Sequence, residues 1–388
     1  MPGRKMSGRK KIAILADSPV DALRAGAQGR GAGQGATWLP PLAEAFAAYQ
    51  DLEITWVALE QGLPVRVDEI HHGQRFIALP HIKKTYDTLL NYLPARLRLK
   101  NEIRKIQPHV VHVWGSEHYY PSVLSGLGIP SVYSIQGNMT HYAKLGTLPD
   151  NWYWRKQWRY EGRWIPHATV VACESPWSRE IALENWPEID ARNIEWGVHP
   201  SFYDIKWQPE MERPYVLHCG SIDWRKGIDV LFDALALLPD RKWGIRFAGE
   251  GPLRSEMEAR GLAGVEWLGN LKWDELKRQM AGASGLVVPT RADTGPSVVK
   301  EARVIGLPVI GSCHGGLRDY IQPGVNGLHV DPLEAASLAK VMDGLMSDPA
   351  MILSLGSGRH QQDRDYFRPE RAARSFHDLY LELANESR

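Results

Sequence analysis

The chain has 388 residues, more than one hydrophobic core ordinarily supports, so two domains of roughly 150–200 residues are expected. Its 46 Lys and Arg nearly cancel 45 Asp and Glu, which argues against a generally basic nucleic-acid-binding surface and leaves only local patches to read. Cys173, Cys219 and Cys313 are widely spaced and form no CxxC pair, so neither a disulfide framework nor a zinc knuckle is supported, and a reducing, cytoplasmic setting is the default.

The N-terminus MPGRKMSGRKKIAILAD is basic, but its apolar run is too short for a secretory signal, and no window reaches the ~18 apolar residues of a membrane span. Beyond it, short Val- and Ile-rich runs alternate with amphipathic segments, the pattern of parallel strands joined by helical crossovers. The first strand is KIAILAD (11–17). A glycine-rich loop and a helix follow in QGRGAGQGATWLPPLAEAF (28–46), without GxGxxG spacing or a Walker lysine, so the loop reads as a flexible cover over a ligand, with Gly33 and Gly35 the chosen positions.

LEITWVAL (52–59) and RFIALP (75–80) are the next strands. HIKKTYDTLLNYLPARLRLKNEIRKIQ (81–107) then carries seven Lys or Arg against two acids on one or two amphipathic helices. Such a stretch is either the solvated face of a packed helix or a contact with an anionic membrane or acceptor. HVVHVWG (109–115) is a strand that takes His112, leaving Glu117 and His118 at its functional end; HHG (71–73) has no obvious partners, and no metal is expected.

After the strand PSVYSIQG (130–137), Gln136, Gly137, Asn138 and His141 are expected to face an interdomain cleft, where they can bond a sugar, His141 being otherwise an ordinary surface histidine. WYWRKQWRYEGRW (152–164) interleaves aromatics and cations, which either stack on bases or sugars or anchor a helix to the core. ATVVACES (168–175) closes the first series, and the polar, proline-flanked SFYDIKWQPEMERP (201–214) reads as a linker.

The second series is YVLHCGS (215–221), GIRFAGEG (244–251), VEWLGN (265–270), GLVVPT (285–290), PVIGS (308–312) and GLHVDP (327–332). Two doubly wound α/β domains facing each other across a cleft are expected, with ligands beyond the carboxyl ends of the strands. There, CGSIDWRKG places Gly220, Ser221, Arg225, Lys226 and Gly227 in a loop before a helix, suited to a phosphate or else a solvated turn. FAGEGPL supplies Gly251. DTGPSVVKEA puts Asp293, Thr294, Gly295 and Pro296 ahead of a helix beginning near Ser297, whose hydroxyl is the expected cap, with Glu301 one turn inside and able to accept two bonds from a ribose diol.

CGSIDWRKGIDVL, FAGEGP, WLGNLKWDEL, VVPTRADTGPSVVKEARVIGLPVIGSCHGGLRDYI and GVNGLHVDP, in this order over about 120 residues, resemble the glycosyltransferase family 4 type, the group 1 retaining enzymes of GT-B fold. The first half resembles it more loosely, through the glycine loop, WGSEH, SIQGN and EWGVHPSFY (195–203). The resemblance implies an N-terminal acceptor domain at 1–205, a nucleotide-sugar domain at 206–367, and a closing helix from 368 that crosses back.

It also implies Lys226 on the donor diphosphate, Asp293 on the donor sugar, Glu301 on its ribose, and Gly295, Pro296 and Ser297 beside sugar and phosphate. Four residues depart from the family pattern: Asp293 for Glu, Ser221 for an arginine that Arg225 replaces, Gln136 for a histidine, and His199 for an aspartate. The implied reaction is metal-independent, cofactor-free retaining transfer from a UDP- or GDP-sugar to a carbohydrate, lipid-linked or small-molecule acceptor, in the cytoplasm or at the inner membrane face. A sugar-nucleotide epimerase, a phosphorylase and a non-catalytic nucleotide-sugar-binding protein are the alternatives.

Overall fold

The computed structural model describes residues 8–17, 37–115, 119–331, 333–358 and 360–386. Eight strands form one sheet: β1 (Lys10–Leu15), β2 (Leu52–Gln61), β3 (Val67–His71), β4 (Gln74–His81), β5 (Val110–Trp114), β6 (Ser131–Ile135), β7 (Val170–Cys173) and β8 (Ala191–Asn193), in the order β3-β4-β2-β1-β5-β6-β7-β8. Six form the other: β9 (Tyr215–Cys219), β10 (Gly244–Ala248), β11 (Val265–Gly269), β12 (Gly285–Val288), β13 (Val309–Ser312) and β14 (Gly327–Val330), in the order β11-β10-β9-β12-β13-β14. Every pairing is parallel except the β3–β4 hairpin. The molecule is thus an α/β protein of two Rossmann-like domains.

All the predicted strands are present, because central parallel strands are covered on both faces and read as unbroken apolar runs; β5 is buried at every position. Two edge strands escaped the sequence reading. β3, VDEIH, is half exposed and turns back through His72 and Gly73, both at positive φ, and β8 is three residues long and polar.

The helices that position the site and its flanks are α1 (Leu39–Phe46), α2 (Lys84–Leu89), α3 (Leu93–Ile106), α4 (Met139–Lys144), α5 (Trp152–Trp164), α6 (Ile228–Ala236), α7 (Ser297–Ile305), α8 (Leu317–Tyr320) and α9 (Pro369–Glu386). The basic stretch 81–107 is two helices rather than one, since Asn91 and Tyr92 both adopt positive φ and Pro94 lies in the first turn of α3. α7 stops at Gly306, whose φ of 90° lets its N–H turn back onto the carbonyls of Ala302 and Arg303.

The chain crosses twice between the sheets. The segment after β8 leads out, and α9 returns to pack Phe376, Tyr380 and Leu383 into the core of β1, β5 and α1. His112, buried in β5, lies 2.6 Å from the Tyr380 hydroxyl and 2.8 Å from that of Ser134, and burial pushes its pKa down to about 3, so a neutral imidazole ties α9 to the sheet. At the crossing the Val198 N–H donates to the Phe367 carbonyl (2.8 Å), and a Cβ on Gly197 would lie 2.5 Å from Pro369 Cα. Among the described residues no helix is long and apolar enough to cross a membrane.

Candidate active site

In each sheet the strand order reverses at one point, between β1 and β5 in the first and between β9 and β12 in the second. Loops leaving such a point open a crevice. Those after β1 and β5 carry Gly33, Gly35 and Glu117, which lie outside the described residues. Those after β9 and β12 carry Lys226 and Asp293.

The loops after β9 and β10 are knitted to each other: Gly220 N–H donates to Ala248 O (3.0 Å), Ile222 N–H to Glu250 O (3.0 Å), and Leu253 N–H to Ile222 O (3.0 Å). A Cβ on Gly251 would sit 2.4 Å from the Ile222 carbonyl, and one on Gly227, at φ 71°, 1.9 Å from that of Pro289. Close backbone approach is real at both, but the partner is the protein's own neighbouring loop. Gly220 takes φ 147° at the end of β9, beside the half-buried Ser221.

Lys226, ahead of α6, donates to the Asp293 carboxylate, and Arg225 Nη1 lies 3.7 Å from the same oxygen. Arg225 also donates to Ala292 O (3.1 Å). Burial alone would raise the Asp293 pKa, but Lys226 and Arg225, with the Gly295 N–H, outweigh it and hold the carboxyl below its usual range. Asp293 is therefore an anion between two cations. The shorter side chain is matched to a direct bond with Lys226.

The following residues are stitched to the first domain. The Thr294 hydroxyl donates to the Gln136 carbonyl, and the Ser175 hydroxyl donates to the Thr294 carbonyl (2.7 Å). A Cβ on Gly295 would lie 2.5 Å from the Glu174 carboxyl carbon and 2.8 Å from the Tyr320 hydroxyl. A first-domain carboxyl packs against that position, which leaves no room for a side chain there. Glu174 accepts from Lys300 of α7, which also donates to Glu195 (2.9 Å), and the α8 hydroxyl of Tyr320 donates to the other Glu195 oxygen (2.7 Å).

All four side chains are buried. Burial raises the pKa of both acids against the pull of Lys300, Glu174 to about 8. Burial would lower Lys300, but the two carboxylates hold it charged.

Glu301, one residue on, is 9% exposed, and among the described residues no hydrogen bond or ion pair holds its carboxylate. Burial pushes its pKa up to about 7, against Lys300. Its site is the carboxyl end of β9, close enough to Cys219 to raise that thiol along with burial. Ser297 does not cap α7: Pro296, buried, occupies the N-cap position and no side chain bonds the first turn.

On the first-domain side, a cavity of about 790 Å³ is lined by Gln136, Tyr142, Trp154, Trp224, Arg225 and Asp293, among others. Asn138 does not face it as a ligand group: its Oδ1 caps α4 by accepting the His141 N–H (2.9 Å). The His141 ring meets Trp177 edge-on at 5.1 Å and its pKa is lowered by burial; Gly137 is buried. His199 bonds Ser201 within its own turn (3.0 Å) and packs on Trp273, and burial takes its pKa to about 4.

The structure therefore gathers Arg225, Asp293 and Gln136 at one cavity, with Lys226 bonded to Asp293 behind that lining and Glu301 at the end of β9. Sequence reading missed Glu174, Glu195, Lys300 and Tyr320, and of the aromatic wall it raised only the segment of Trp154, missing Tyr142 and Trp224. The lysine inside the apolar run SVVKEARVI was the one available signal.

Residues 41–201 match Glycosyltransferase Family 4, and residues 202–361 match Glycosyl transferases group 1. The chain is 30% identical over 340 residues to sulfoquinovosyl transferase SQD2 of Arabidopsis thaliana, covering 81% of this chain and 64% of that relative's length, just under two thirds. Sucrose-phosphate synthase from Thermosynechococcus elongatus superposes with a TM-score of 0.78 at 21% identity, over 97% of this chain and 99% of that one. Anabaena HepE, solved in complex with UDP-glucose, gives 0.69 at 17% identity over 96% and 99%. With two adjoining family matches running from residue 41 to 361 on a GT-B fold, the chain belongs to the group 1 glycosyltransferases, with an N-terminal half of the family 4 type.

Proposed function

We propose that the chain is a retaining, metal-independent glycosyltransferase that moves a sugar from a UDP- or GDP-sugar to an acceptor hydroxyl of a polysaccharide, glycolipid or small-molecule glycoside, in the cytoplasm. The observation that carries the reading is the cluster of Lys226, Arg225 and Asp293, two of which, Arg225 and Asp293, line the interdomain cavity. Two cations there suit a diphosphate, stabilising the negative charge that grows on the leaving group. In this reading the leaving phosphate takes the acceptor's proton on the same face of the sugar, and no side-chain nucleophile is needed. The aromatic wall of Tyr142, Trp154 and Trp224 excludes water and offers faces on which a sugar ring can stack.

Thermal unfolding across a nucleotide panel tests the donor. A ligand at a hundred times its Kd adds about 2.7 kcal/mol to the folded state, so UDP or GDP should raise Tm clearly. A panel that leaves Tm unmoved sinks the reading. With a responsive nucleotide in hand, turnover with its sugar and an acceptor should survive chelator, and the product should keep the donor's anomeric configuration.

Glu301 adds a pH signature. Ribose hydroxyls donate to an ionised carboxylate, so donor affinity should fall as pH drops below about 7, where the carboxyl takes up its proton. A bond to a charged acceptor is worth about 1.5–3 kcal/mol, and Glu301→Gln keeps one acceptor oxygen while losing the other, so the variant should raise the donor KM roughly 10- to 100-fold and flatten its dependence between pH 6 and 8. An unchanged KM in that variant removes Glu301 from the donor site.

A further inference from the structure

We propose that α2, α3 and α5 of the first domain form a docking surface for an anionic lipid bilayer. Exposed large apolar side chains concentrate there: Tyr86, Leu89, Leu90, Leu93, Leu97 and Trp152 are each 49–59% exposed. The two helical regions are contiguous, since Lys156 Nζ donates to the Leu89 carbonyl (3.5 Å), the Tyr160 hydroxyl donates to Asn91 (2.8 Å), and the Tyr92 ring packs edge-on against Tyr160 and Trp164.

Trp152, Arg155, Arg159 and Arg163 recur at helical spacing along one exposed stripe of α5, beside a groove of about 590 Å³. The tryptophans of α5 thus divide: Trp164 anchors the helix in the core, while Trp152 stays outside.

The acids of these helices are withdrawn from the surface. Asp87 is buried and accepts from the Ala95 N–H (3.2 Å). Glu102 is buried between Arg66 and Lys105, and Glu161 is buried and accepts from the Met139 N–H (3.0 Å) and the Thr140 N–H. Asp150, exposed just before α5, pairs with Arg155. The exposed face of the three helices is left with leucines, aromatic rings and cations.

Leucine side chains spaced between cations suit a fluid headgroup layer, where apolar groups enter the acyl boundary, tryptophan and tyrosine rings sit at the interface, and arginines meet lipid phosphates. Trp154, on the same helix, lines the cleft cavity, so docking by this face brings that cavity to the edge of the bilayer. The surface stands independently of the sugar-transfer reading, because vesicle binding is measured without turnover.

The test is flotation of the full chain with phosphatidylcholine vesicles, with and without phosphatidylglycerol. The chain should float with the anionic vesicles, less so at high salt, and stay behind with phosphatidylcholine alone. R155Q/R159Q/R163Q should weaken binding about a hundredfold, at roughly fivefold per arginine. L89S/L90S/L93S should lose flotation while keeping the parent's circular dichroism and Tm. Failure to float on anionic vesicles at low salt overturns the proposal, as does flotation of both variants like the parent. So does a dimer in light scattering that L89S/L90S/L93S abolishes in a chain that binds no vesicle.

Discussion

Lys300→Met is expected to cost about 3–5 kcal/mol of stability, the range for removing one partner from a buried ion pair. The ammonium lies between Glu174 and Glu195, and the Tyr320 hydroxyl fills the remaining side of Glu195. All are buried, so a methionine of similar length leaves two buried acids without the cation that bonds them. Removing the acids as well should restore most of the loss, because a neutral cluster no longer carries uncompensated charge. Lys300→Met with Glu174→Gln and Glu195→Gln should therefore recover to within about 1–2 kcal/mol of the parent.

Denaturant unfolding followed at the tryptophans measures both, and a single variant that unfolds like the parent would sink the argument. The cluster also fixes a pH trend. Glu174 titrates near 8 in the folded chain and near 4.5 unfolded, so between these values the folded state holds a proton that unfolding releases. Its contribution accordingly declines as pH rises from about 4.5 to about 8 and is flat above. Glu174→Gln should remove that slope. In Lys300→Met the slope should run beyond pH 8, since the cation that pulls the pKa down is gone.

The location of this cluster marks where sequence reading stopped. Apolar runs such as VVHVW and GLVV announce buried parallel strands by themselves, and the polar loops at their carboxyl ends follow from that placement. Lys226 and Asp293 were visible as chemistry at two such loops. That they bond each other follows from β9 lying beside β12, a fact of sheet order across 67 residues.

Lys300 was readable only as a charge in an apolar helix, for its partners lie 126 and 105 residues upstream in the other domain. Glycines read ambiguously in a regular way. Gly227, Gly251 and Gly295 sit in loops after strands, where close approach of a ligand was expected, and in the structure Pro289, Ile222 and Glu174 already occupy the space a side chain would need at each. Composition records the need for a small residue without recording what it faces.

Replacing Lys226 and replacing Asp293 should move nucleotide affinity in opposite directions. Lys226 is bonded to Asp293, so a diphosphate that takes the ammonium must compete with a carboxylate already in place. On the proposed reading Lys226→Ala removes the cation that would meet the leaving group, and it should lower kcat by about 10²–10³, as loss of one preorganised charge donor does elsewhere. UDP or GDP should bind it more weakly, with Arg225, 3.7 Å from Asp293, supplying the remaining positive charge.

Asp293→Asn keeps the shape and removes the competitor. Two unit charges roughly 4 Å apart exchange about 4 kcal/mol at an effective dielectric of 20, and solvent reaches this pair, so a fraction of that is released to the ligand. Nucleotide binding should then tighten by roughly tenfold, about 1.4 kcal/mol, while turnover falls if Asp293 holds the donor sugar as proposed. Titration calorimetry with the free nucleotide, beside initial rates with its sugar, separates the two effects. If both variants shift nucleotide affinity the same way, the Lys226–Asp293 pair is a structural clamp and the diphosphate is held elsewhere.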